Sequence, residues 1–123
     1  MNHAAISELL RADFNSLLSF KERGETLEVI TPWTMANRDA VSVFVKEQGP
    51  GYVCAVELVF ERLRPRKRRQ LERLVRYYGL RRKDNWFYKL AGSQETIGSA
   101  IFDIACFANL VSWDFPVKPE VEA

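Results

Sequence analysis

Histidine is nearly missing from this chain: its 123 residues hold one, His3, close to the start. Cysteine is scarce as well, with Cys54 and Cys106 each set inside an apolar run. A secreted disulfide scaffold carries more cysteines and places them in loops, so these two read as buried free thiols in a reducing compartment. One histidine and two cysteines in no ligand-like spacing exclude the usual zinc sites. Neither cysteine has the adjacent base that a thiol nucleophile needs. No glycine-rich phosphate loop occurs, and no cofactor or metal is implied. The stretch Met1–Leu10 carries Glu8 and lacks a basic start followed by an apolar run, so it is not expected to be a signal peptide. No window is expected to reach the ~20 apolar residues of a membrane span. The most apolar segment, Ile97–Val111, is broken by Ser99, Asp103 and Asn109. A cytoplasmic protein is the expectation.

What the chain does have is an ordinary core composition, with 47% hydrophobic residues. The length fits one domain, expected over residues 1–115, with a flexible acidic tail over 116–123. Ile6, Leu9, Leu10, Phe14, Leu17 and Leu18 fall on one helical face, which predicts a helix over 4–18. Alternation predicts strands at 27–31 and 41–46, and a third at 52–60 follows the turn Gln48–Gly51. Pro65 suits the first turn of a helix, Leu71, Leu74, Val75 and Tyr78 form its stripe, and Gly79 can end it. A short strand at 86–90 and a helix over 94–112 complete the order α-β-β-β-α-β-α. The predicted class is α+β: three helices packed on a small antiparallel sheet of three to four strands. The last helix is apolar on most of its circumference. That predicts either a central position or a homodimer contact through Phe102, Cys106 and Leu110.

The charge is unevenly placed. Between residues 62 and 83 there are eleven basic side chains: Arg62, Arg64, Arg66, Lys67, Arg68, Arg69, Arg73, Arg76, Arg81, Arg82 and Lys83. Glu72 is the one acid among them, while the rest of the chain holds seven basic against fifteen acidic residues. Like charges at i,i+4, such as Arg69 and Arg73, repel by a few tenths of a kcal/mol. Arginine dominates, and its forked donors suit phosphates and carboxylates. The predicted site is therefore this basic helix surface, engaging nucleic acid or an acidic protein partner. The plainer reading is a solvated face balanced by acids elsewhere, such as Glu22, Glu25, Glu28 and Glu57. Trp86, Tyr88, Tyr77 and Tyr78 lie near this segment and can stack on bases, although aromatics at such spacings more often fill a core.

No catalytic residue is assigned. The nearest approach to a catalytic constellation is a carboxylate cluster of Asp39, Glu57 and Glu61, which gives the alternative of a nuclease-like hydrolase. A structural dimerisation module is the third class.

Residues 27–115 also carry a resemblance. Ile30-Thr31-Pro32-Trp33, Arg38-Asp39, the strand Val41–Val45, Gly51-Tyr52 and the stretch from Arg69-Gln70-Leu71 to Tyr78-Gly79-Leu80 resemble a phage and bacterial family, the uncharacterised domain of unknown function 1828. That family tends to carry a threonine, two aspartates and a glycine where this chain reads Ala55, Val56, Glu57 and Leu58. The resemblance implies a fold and a phage or prophage origin. With the basic segment it points to a non-enzymatic regulator or inhibitor of a host system, acting in the bacterial cytosol.

Overall fold

The computed structural model describes residues 1–14 and 17–117. Helix α1, His3–Asp13, starts where the Asn2 side chain accepts a hydrogen bond from Ala5 N at 3.0 Å. It stops five residues short of the predicted end. Leu18, which continues the helical spacing, is buried on the approach to a strand instead. That strand, β1 (Ser19–Arg23), was not expected, because its side chains are mostly exposed and show no apolar alternation. It turns at Gly24, whose φ of +63° requires a residue tolerant of the left-handed region, into β2 (Thr26–Thr34). Pro32 does not end β2. It sits exposed where the register with the next strand shifts between Ile30 and Thr34, and such an irregularity accommodates a residue with no N–H to donate.

Strands β3 (Ala40–Gln48) and β4 (Gly51–Glu57) form the predicted hairpin. β4 ends at Glu57, not Phe60: Leu58 N donates to Asn85 O at 2.9 Å, and Phe60 pairs in isolation with Val117. Helix α2 (Pro65–Tyr77) is closed by Gly79, while Leu80 N returns to Val75 O at 2.8 Å. A three-residue strand, β5 (Arg81–Lys83), then turns through Asp84 and Asn85 into β6 (Trp86–Ala91). Helix α3 (Gln94–Asp114) follows, with the Thr96 hydroxyl accepting from Ser93 N at 3.2 Å.

The strands form one antiparallel sheet in the order β1-β2-β3-β4-β6-β5. The α+β class holds, but with six strands the sheet exceeds the three to four expected. The element order is α-β-β-β-β-α-β-β-α. α3 crosses β2, β3, β4 and β6 on one face of the sheet, with α1 and α2 against it. Between α3 and the sheet lie Leu27, Val29, Val43, Val45, Val56 and Phe87, each at most 4% exposed. α3 is long and apolar enough to cross a bilayer, contrary to expectation, yet over half of that stretch is buried in this core. Trp113 and Asp114, beyond the predicted end at 112, complete the helix, and Phe115 is buried. Of the predicted tail over 116–123, residues 118–123 lie outside the described residues.

Candidate functional site

The predicted basic residues fall on three pieces of structure. Arg62 and Arg64 lie in the approach to α2, residues 66–76 on α2 itself, and Arg81, Arg82 and Lys83 are β5. All eleven are exposed. α2 buries Leu71 and half-buries Leu74 and Val75, so its opposite side carries Arg66, Arg69, Arg73 and Arg76 at spacings of 3, 4 and 3. Among the described residues the ion pairs are Met1–Glu47, Arg23–Glu28 and Lys89–Asp103, with the His3 ring also beside Glu22, and none of these contacts uses the eleven. Glu22 and Glu28, candidates for balancing them, thus have other partners. Two of the eleven are tied down differently: Lys67 donates to Asp114 O at 3.1 Å, and the Arg82 guanidinium lies 4.9 Å from the Phe87 ring centroid.

The carboxylates are brought together only in part. Asp39 and Glu57 line one depression of about 590 Å³, together with Glu28, while Glu61 lies elsewhere, its N–H bound to Pro116 O. Among the described residues no group of three or more His, Cys, Asp or Glu is placed to hold a metal ion. His3 opens α1, with Nδ1 3.2 Å from Glu22 Oε1. Cys54 is fully buried, and burial pushes its thiol up to about 12. Cys106 is half-buried, and burial followed by the nearby Asp103 raises its thiol as well. Neither sulfur has the low-pKa surroundings of a reactive thiolate.

The aromatic residues divide. Tyr78 packs 6.0 Å from Phe107, while Tyr77 is 81% exposed. Trp86 and Tyr88 are not core: they alternate with the buried Phe87 and so face the side of the sheet that, among the described residues, carries no helix. Pairing aligns a row across all six strands on that face, Lys21–Glu28–Phe44–Ala55–Tyr88–Arg81. Beside it run Glu57–Trp86–Lys83 and Lys46–Val53–Leu90. Phe44 and Trp86 meet edge to face at 5.8 Å. Sequence reasoning missed Phe44 and Lys46 as surface features. The signal was there in β3, where Phe44 alternates with Val41, Val43 and Val45, but which set faces the helices depends on pairing between distant strands.

Among the described residues nothing covers the outer side of α3. Phe102 is 49% exposed, Leu110 36% and Trp113 67%, with the half-buried Cys106 between them on the same stripe. Trp33 and Phe14 extend it: Phe102 packs edge-on to Trp33 at 5.5 Å, and Trp33 to Phe14 at 5.8 Å. No family model, curated protein or solved structure matches the chain.

Proposed function

We propose that this protein is a non-enzymatic binding protein that engages nucleic acid through the exposed basic residues of α2, flanked by those of β5. The observation that carries the reading is the eleven exposed Lys and Arg side chains with no ion-pair partner among the described residues. Arg66 to Arg76 spans about 15 Å of helix at 1.5 Å per residue. A row of forked donors over that length can follow several phosphates of a backbone. The resemblance to domain of unknown function 1828 supports a phage or prophage regulator or inhibitor working in the host cytosol. An acidic protein face is the other partner that suits the same donors, and a hydrolase would rest on Asp39 and Glu57 without Glu61.

The test is the salt dependence of binding to duplex and single-stranded DNA, for the wild type and for Arg66→Gln/Arg69→Gln/Arg73→Gln. Each lost phosphate contact lowers the slope of log affinity against log salt by about one, so the triple variant should lose about three. Equal slopes sink the proposal. Salt-sensitive capture of an acidic polypeptide with no binding to either DNA turns it toward a protein partner.

A second reading has its own observation. The exposed apolar stripe Phe102–Cys106–Leu110 fits a two-fold contact with a second copy of the chain. Such a dimer would carry two copies of the α2 surface.

A further inference from the structure

We infer that the helix-free face of the sheet is a stacking platform for single-stranded nucleic acid, with Trp86 at its centre. This rests on the nucleic-acid reading above but assigns a different surface and a narrower ligand. Trp86 borders three adjoining depressions on this face, of about 590, 420 and 600 Å³. It is 37% exposed, whereas the aromatic ring one residue along, Phe87, is wholly buried. Ala55 lies between Phe44 and Tyr88 in the pairing row. Its single methyl leaves a hollow floored by Ala55 and Val53 and walled by the Trp86 indole. Phe44 and Tyr88 stand two strand spacings apart, about 10 Å, which admits a planar base between them.

Charge selects the occupant. The two depressions that share Val53 and Ala55 carry Lys46 and Lys83 against one acid, Asp84, with Arg23 at the rim held in its pair with Glu28. The third, on the other side of Trp86, carries Glu28, Asp39 and Glu57 and no cation. An anionic backbone is therefore drawn over one half of the face and repelled from the other. The rings supply a surface that every base can stack on, and the cations hold phosphates beside it. Arg81 and Lys83 stand at the edge of this face, while Arg82 between them points to the side that carries α2, so a strand leaving the platform reaches α2 only by passing round the β5 edge. A duplex does not satisfy the platform, since its bases are stacked on one another and out of reach of the indole.

The test uses labelled oligothymidylate and oligouridylate of about 12 nucleotides, a duplex of equal length, and polyglutamate, read by fluorescence anisotropy. Trp86→Leu should weaken single-strand binding roughly tenfold and leave duplex binding unchanged, while Trp86→Phe should keep most of the affinity. Either oligonucleotide should also quench the part of the indole emission that Trp86→Phe removes. If Trp86→Leu does not fold, Tyr88→Leu and the quenching decide in its place. Equal affinity for single strand and duplex, with no quenching and no effect of Trp86→Leu or Tyr88→Leu, overturns the platform. If Arg66→Gln/Arg69→Gln/Arg73→Gln still weakens both in that case, the α2 reading stands without it. Binding of polyglutamate alone overturns both.

Discussion

Lys89 Nζ lies 2.6 Å from Asp103 Oδ2 and 3.2 Å from the carbonyl oxygen of Tyr78, so one ammonium joins β6, α3 and the end of α2. Both side chains of the pair are about one-third exposed, at 30% and 31%, so water screens the attraction. The geometric role is larger than the electrostatic one. Lys89 caps a carbonyl at the helix end, beside Gly79, where an added Cβ would come within 3.2 Å of its Nζ.

Asp103→Asn should therefore cost about 1 kcal/mol, and Lys89→Met somewhat more, because the latter also strips Tyr78 O of its donor. Urea unfolding measures both. The double variant should cost less than the sum of the two, and strict additivity would show that the contact contributes nothing.

Glu28 gives a pH dependence of defined sign. Burial pushes its carboxyl upward, but hydrogen bonds from Arg23 and Ser42 and the charges of Arg23 and Lys21 outweigh this and hold it below its ordinary value. A carboxylate depressed in the folded state stabilises above its unfolded pKa, and that contribution is lost as pH falls through the folded value. Glu28→Gln should lower stability by about 1 kcal/mol at pH 7, since Arg23 is half-exposed and screened. The gap to wild type should close below about pH 4. Denaturant midpoints at the two pH values check this, and a gap that widens in acid contradicts it.

With its thiol raised to about 12, Cys54 should resist a thiol-exchange reagent in the native protein at pH 8 and react only as the protein unfolds. Cys106, half-buried, should react first and slowly. Thiol titration with and without denaturant counts the two classes. Rapid native reaction of both would contradict the packing around β4.

Phe102→Glu tests the α3 contact. Phe102 is 49% exposed and touches Trp33, so the charge can be solvated in a monomer but not in a two-fold interface. Light scattering should show a wild-type dimer and a folded monomeric variant. A monomeric wild type rejects the interface.

The elements legible in the sequence are those that bury a side. The Val41, Val43 and Val45 alternation marked β3, the spacing of Leu71, Leu74 and Val75 marked α2, and the apolar density after Ser93 marked α3. β1 and β5 escaped for the opposite reason. Ser19–Arg23 half-buries only Phe20, and Arg81–Lys83 buries nothing. Such strands are held by main-chain pairing with β2 and β6, which leaves no pattern in side-chain polarity. The basic residues of the candidate site could be named one by one from the chain. That three of them form a strand could not be read, nor that Trp86 and Tyr88 face away from the helices. Both follow from the order in which distant strands pair.

β1 and β5 are also the two places where the sheet stops, each with a line of main-chain donors and acceptors facing outward. Such a margin is a template on which another chain can lay a strand. Here one margin carries Lys21 and Arg23 with Glu22 between them, and the other consists of Arg81, Arg82 and Lys83 alone. Two molecules approaching β5 to β5 bring three cations against three, so the residues at this margin also protect the protein against its own aggregation.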